Sequence, residues 1–309
     1  MNRRGYVFTI LALLVIAIVF GVLALSEEYA ARSSGLHGHL LSADNFLGQF
    51  EEDLPRAVRI ISYRSLLGLD EHVSRTGEYV DDFSSAFSSM AMNGSVDGFF
   101  YDVMEDGTLD VFEQRMQELA GRVGLVLDLR IVNASIEHTG PFTVRTESEV
   151  EVFLQTRDAS TSWNYSKNFS SEFSITDLRD PLYTVETAGR VPVAVREVNV
   201  SRPFITSDND TTRLQVVFNE SLYVANEQAP SFLMRFSGNV SASEHGISSL
   251  VDVRVLDAQD VAVQTDRSAV DFLYFGSSAT STNTIVNMPE TLLIDDDHLS
   301  LYDAQEATT

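Results

Sequence analysis

Residues Tyr6 to Leu25 form an unbroken run of twenty side chains with no charge among them. At 1.5 Å per residue a helix of that length covers about 30 Å, the hydrocarbon thickness of a bilayer. Arg3 and Arg4 precede the run, while Glu27 and Glu28 follow it. Basic flanks stay in the cytoplasm, so the residues beyond Ser26 are expected outside the cell. No second apolar run of that length occurs, which predicts a single-pass cell-membrane protein held in lipid through residues 6–25, with a cytoplasmic tail at 1–5. Three forms of the N-terminus are open. The segment can persist as a plain anchor. It can be removed as a secretory signal, Ala24 and Ser26 providing small residues, although its core exceeds the usual 7 to 15 residues. Or, since Arg3-Arg4-Gly5 resembles the site of archaeal type IV pilin-like precursors, it can be cut after Gly5 with the apolar helix kept.

A chain that places nearly all its mass outside the membrane must suit that solvent. The 309 residues include 45 acids against 21 bases, a formal charge of −24. Lys167 is the one lysine, so the other bases are arginines. An acidic surface holds water and cations, and molar salt screens its self-repulsion within about 3 Å. Arginine keeps a planar fork for ion pairs where lysine's hydrated ammonium is given up. The pattern predicts life in concentrated salt, and it excludes a broad cationic face for nucleic acid. Cysteine is absent, which removes disulfide scaffolds, thiolate metal sites and Cys nucleophiles. At 44% hydrophobic residues the chain can still build a core.

Hydrophobic periodicity divides the exterior. From 26 to 124 the pattern is helical, and a stalk or bundle is expected: Leu40, Leu41, Leu47, Leu54, Val58 and Ile61 share one side. Pro55 predicts a helix start or kink. A second helix is expected from Ser65 to Arg75, stopping at Gly77. A third carries Leu109, Phe112, Met116, Leu119 and Ala120 on one face, with Thr108 as N-cap and Gly121 as terminator. At Leu125 the period becomes 2. Leu125, Leu127, Leu129 and Ile131 alternate with polar residues; Phe142, Val144, Val150, Val152 and Leu154 do the same, as do Trp163, Tyr165, Phe169, Phe173 and Ile175. Residues 125–201 are therefore expected to hold an antiparallel sheet with one wet face. Trp163, Phe169 and Phe173 should be buried, Asn164 and Asn168 exposed opposite them, and Lys167 at an edge with its ammonium in solvent. Asp180-Pro181-Leu182-Tyr183 reads as a turn into a strand. From 202 to 309 a mixed α+β module is expected, with strands near Arg213–Val224 and Val251–Leu256 and helices near Arg267–Phe275 and after Pro289. The fold class is α+β.

Eight Asn-x-Ser/Thr sequons occur, at Asn93, Asn133, Asn164, Asn168, Asn199, Asn209, Asn219 and Asn239. Chance pairing of the chain's asparagines with its serines and threonines gives about two, so the excess predicts a glycosylated exterior. Catalytic signatures are missing: there is no Walker loop, GxGxxG, HExxH or GxSxG. Asp208 and Asp210, and the run Asp295, Asp296 and Asp297, group oxygen donors of the kind calcium takes, without EF-hand spacing. His37 and His39 form a close pair that a solvated linker also explains. No other cofactor is indicated.

Several segments together resemble a family of uncharacterised archaeal membrane-anchored surface proteins: Arg4–Leu14 (RGYVFTILALL), Arg56–Phe83 (RAVRIISYRSLLGLDEHVSRTGEYVDDF), Ile175–Arg190 (ITDLRDPLYTVETAGR), Ala229–Val253 (APSFLMRFSGNVSASEHGISSLVDV), Val270–Phe275 (VDFLYF) and Ile294–Tyr302 (IDDDHLSLY). The resemblance implies a secreted, envelope-anchored body and supplies no activity. The reading is a non-enzymatic surface protein of a halophilic archaeon, with pilin-like assembly or adhesion as its specific form and itself or other envelope proteins as partners. The alternatives are an exterior module that binds glycan or uses calcium, and, further off, an envelope hydrolase.

Overall fold

The computed structural model describes residues 43–206, 208–276 and 282–304. The expected membrane segment, Gly5 and the His37–His39 pair lie outside these residues. Among the described residues no helix is long and apolar enough to cross a membrane.

Helix α1 runs over 43–76 without a break. Its buried positions Phe50, Leu54, Val58, Ile61, Ser65, Leu69 and Val73 fall three or four apart, as one covered helix face requires. Two expectations fail here. Pro55 neither starts nor ends the helix; it costs one backbone bond, to the carbonyl of Glu51, and the buried stripe carries the helix past it. Ser65–Arg75 is no separate helix, because its apolar residues continue the same stripe. Gly77 does end α1, its φ of 69° placing it in the left-handed region. Asp82 caps α2 (Phe83–Asn93), its carboxylate accepting the amides of Ser84 and Ser85. A Cβ at Gly68 would come within 2.8 Å of the Met90 sulfur, so the glycine permits α1 and α2 to approach this closely. Strands β1 (Ser95–Val96) and β2 (Phe99–Phe100) form a hairpin about Asp97 and Gly98, both at positive φ.

Helix α3 (Leu109–Arg122) begins where the Thr108 hydroxyl oxygen accepts from the amide of Val111 at 3.2 Å. It passes through Gly121 and stops before Gly124, whose φ is 80°. Gly121 was expected to be the terminator; a right-handed glycine is merely tolerated, whereas a left-handed one ends the turn.

Three long strands follow: β3 (Leu125–Gly140), β4 (Thr143–Thr156) and β5 (Ser162–Ser174), in the order β3-β4-β5. Loops of two and five residues join them, too short for a parallel crossover. In β4 the burial alternates without fault from Val144 to Thr156, and Thr146 and Ser148 take inward places beside the valines. In β3 the inward phase slips by one residue between Ile131 and Ala134, which one extra residue in a strand produces. In β5 only Phe169 is buried; Trp163 and Phe173, expected inside, are half-buried, as is Tyr165. Asn164 and Asn168 are exposed. Lys167 is exposed with its ammonium 5.2 Å from the Phe169 ring centroid.

Beyond Ile175 the elements shorten. They are α4 (Pro181–Glu186), α5 (Thr212–Asn219), β6 (Val224–Ala225), α6 (Phe232–Arg235), β7 (Ile247–Ser248), α7 (Val253–Ala258), α8 (Asp271–Phe275), β8 (Thr282–Thr284) and β9 (Leu293–Asp295). Strands β6 and β7 pair antiparallel, as do β8 and β9. The class is α+β with small antiparallel sheets. Four local readings are corrected. Arg213–Val224 is mostly helix, Val251–Leu256 enters a helix, the segment after Pro289 contains a strand, and Pro181–Tyr183 opens a helix. In each the run is shorter than two helical turns or so, a length over which period 2 and period 3.6 select much the same residues. The helix at Arg267–Phe275 is present as α8, confined to five residues.

By internal contacts the chain forms two compact units. Among the described residues one comprises 43–53, Arg115–Leu129 and Val152–Tyr165; within it Tyr165 donates to Glu51 at 3.2 Å, and Gln117 to the carbonyl of Leu129 at 3.4 Å. The other comprises Leu54–Gln114, Arg130–Glu151 and the described part of Ser166–Thr309. Its main apolar core gathers Phe204, Leu214, Phe218, Leu250, Phe272 and Tyr302, and a smaller one centres on Tyr183, Val251 and Leu256.

Candidate functional site

Helices of four to eight residues are not stable alone. What ties those of the second unit together is an ionic cluster in its interior. Arg235, from α6, donates through Nη1 to Asp180 at 2.6 Å and to Asp271 at 2.8 Å, all three side chains having no solvent exposure. Its Nη2 donates to the carbonyl of Ile247. Asp180 also accepts from Tyr223 at 2.6 Å and caps α4 through the amide of Leu182. Asp271 accepts from its neighbour's amide, Phe272, and from Ser249 at 3.0 Å, whose hydroxyl meets that of Tyr183 at 3.1 Å. Burial pushes the Asp180 carboxyl up, with Arg235 drawing it back. Burial opposes the Arg235 charge too, but Asp180 and Asp271 outweigh it and hold the guanidinium above its ordinary value. Burial raises the Tyr183 and Tyr223 phenols. A ligand cannot reach this cluster, so its role is to join α4, α6, α8 and β7. Arg235 in SFLMRF and Asp271 in VDFLYF are charges inside apolar runs, and that was the available signal for them.

Two further buried carboxyls, outside this cluster, are shifted. Asp70 of α1 is 8% exposed, one of its oxygens has no partner, and the Arg179 guanidinium lies 3.9 Å from the other. Burial pushes its carboxyl up to about 6, Arg179 drawing it down and Asp180 and Glu71 adding to the rise. An acid whose folded-state value exceeds its unfolded value destabilises the fold at high pH, and the fold regains that stability as pH falls from about 6 towards 3.8. At about 1.4 kcal/mol per pH unit the ceiling is about 3 kcal/mol. Asp70→Asn is therefore expected to stabilise the protein by about 2 kcal/mol near pH 8 and by nothing near pH 4, read from urea-unfolding midpoints. A gain independent of pH would refute this.

His298 lies 2.6 Å through Nδ1 from Asp295, whose other oxygen accepts from Ser268 at 2.6 Å. Burial works against the Asp295 charge, but the bonds from His298 and Ser268 outweigh it and hold the carboxyl below its ordinary value. This is not a hydrolytic triad. The serine binds the carboxylate and not the imidazole, so no base stands ready to take its proton.

The acidic clusters are separated in the same way. Asp295 is buried with both oxygens engaged, Asp296 accepts from Asn283 at 2.7 Å, and Asp297 is exposed. Asp210 accepts from the amide and hydroxyl of Thr212, at 2.9 and 2.5 Å, and Asp208 is exposed. Among the described residues no three metal-ligating acids or imidazoles converge.

All eight sequon asparagines are exposed. Asn93 and Asn239 have a further feature in common: the side-chain oxygen of each accepts from both the amide and the hydroxyl of the serine two residues on, Ser95 and Ser241. Asn133, Asn164 and Asn168 stand on strands, and Asn219 closes α5.

One cleft of about 350 Å³ opens beside the buried cluster. Its floor and walls include Tyr183, Val193, Ala194, Arg196, Glu220 and Leu256. Nothing in the sequence pattern pointed to it, since its residues come from four separated stretches, at Tyr183 and within 191–196, 219–221 and 251–256.

No family model, curated protein or solved structure matches the chain.

Proposed function

We propose that this is a non-enzymatic protein of the cell exterior, held in the membrane through residues 6–25 and glycosylated on its surface. The observation that carries the reading is that every sequon asparagine is exposed, on helices, strands and loops alike, whereas of the other described asparagines Asn226 is buried, Asn283 half-buried, and Asn45 and Asn287 exposed. Eight random asparagines would not have to keep out of the interior, but eight glycan carriers must. The buried ionisable groups described above are accounted for by burial, ion pairing and hydrogen bonds inside the fold. Assembly or adhesion at the envelope of a salt-adapted archaeon is its specific form.

Protease added to intact cells should remove the chain beyond Ser26 and spare the residues before Tyr6. Survival of an epitope at Asp295–His298 in intact cells, with its loss only after lysis, would reverse the topology. The first residue of the mature protein separates the forms of the anchor: Tyr6 marks pilin-type processing, and Met1 a plain anchor.

A further inference from the structure

We propose that the cleft beside Tyr183 is a docking site for an extended peptide segment of a partner protein, one that carries an acidic side chain. Residues 191–198 run as an extended segment paired on both edges, but not along its whole length. On the first edge Val195 donates to Leu178 and accepts from Asp177, and Val193 accepts from Asp180, each at 2.8 Å. On the second edge Arg196 accepts from Tyr223 at 2.8 Å, and Val198 donates to the carbonyl of Tyr223 at 2.9 Å. Backbone groups of successive residues in an extended chain point to opposite sides. The amide and carbonyl of Ala194 and the amide of Arg196 therefore face the second edge, where the pairing with Tyr223 would continue. It does not continue. Ser221 adopts a φ of 48°, and residues 219–221 turn away to form the far wall of the cleft. Ala194 is half-buried, and its amide and carbonyl have no partner among the described residues.

An interrupted edge of this kind presents donor, acceptor and donor in the spacing of a peptide backbone, which an added strand satisfies. The side chains around it select what the strand carries. Val193 and Leu256 offer apolar contact. Arg196 is exposed and pairs with no carboxylate among the described residues, whereas Arg254 is already held by Asp252 at 2.7 Å. A guanidinium with its fork free matches a carboxylate. Glu220, on the far wall, gives an acceptor to a ligand N–H. The volume lies near the lower end of ligand pockets, about 300–1,000 Å³, and so fits a short stretch of chain.

The test uses the full chain in detergent micelles and the peptide acetyl-Val-Glu-Val-amide, followed by hydrogen–deuterium exchange at the amides of Ala194 and Arg196. Exchange there should slow about tenfold, saturably, at peptide concentrations up to about 5 mM, the affinity scale of so small a ligand. Arg196→Gln should weaken this peptide about fivefold while leaving acetyl-Val-Gln-Val-amide unaffected. Because Arg196 is exposed and unpaired, the variant keeps the fold. Absence of protection at both amides would overturn the proposal, and so would protection by N,N′-diacetylchitobiose with none by either peptide, which would make the cleft a sugar site. Equal loss of both peptides in Arg196→Gln would overturn the acidic preference.

Discussion

Arg235→Ala is expected to cost about 3–5 kcal/mol at neutral pH, enough to unfold much of the second unit. The loss comes less from the missing contacts than from what they leave behind. Asp180 and Asp271 would remain inside the protein, with no solvent and no counter-charge. Four short helices and strands would also lose their common anchor. Two controls separate the electrostatic cause from simple loss of volume. The penalty should shrink as pH falls, because the Asp180 carboxyl, already pushed up by burial, takes up a proton and no longer needs the guanidinium. Combining Arg235→Met with Asp180→Asn and Asp271→Asn should recover part of the loss, because a neutral cluster carries no uncompensated charge. A penalty under about 1 kcal/mol, or one that does not change with pH, would mean that the cluster does not hold the unit together.

Phe169→Ala is expected to cost about 3 kcal/mol, and Asn168→Gln less than about 0.5. The two residues are neighbours in β5 and differ only in the face they occupy. Phe169 is 5% exposed and Asn168 stands in solvent. The value falls at the low end of the range for phenylalanine because β5 is an outer strand, where the cavity can partly collapse and the Lys167 stem can fold over it. Trp163 and Phe173, half-buried on the same strand, should cost less than Phe169 when truncated. Thermal or urea unfolding of the three variants gives the order directly. If Trp163→Ala proves the most damaging, the assigned inner face of β5 is wrong.

This contrast also shows what could be read from the residues alone. The three long strands were legible because alternation sustained over about seven to thirteen residues leaves no second period that fits, and a one-residue slip would expose every apolar side chain. The exposure of Asn164 and Asn168 followed from the same alternation, whereas Lys167 falls on its apolar side and was expected in solvent only because of its charge. How deep each aromatic lies did not follow from it, because tertiary packing decides that. Helix α1 was legible as a stripe but not as one helix, since Pro55 weighs heavily in a local reading and little against a face buried over 34 residues. In the short elements after Ile175 local pattern failed. Their conformations are set by Asp180, Arg235 and Asp271 meeting across the unit, from positions 36 to 91 residues apart in sequence. The cleft was invisible for the same reason: an unpaired edge at Ala194 exists only because Ser221 turns away from it.

The central claim is an exterior protein with a sugar-bearing surface, and mass spectrometry of the protein purified from its native membranes tests it most directly. The account predicts glycopeptides at one or more of Asn93, Asn133, Asn164, Asn168, Asn199, Asn209, Asn219 and Asn239, each shifted by whole saccharide masses. All eight asparagines recovered unmodified, at full sequence coverage, would contradict it.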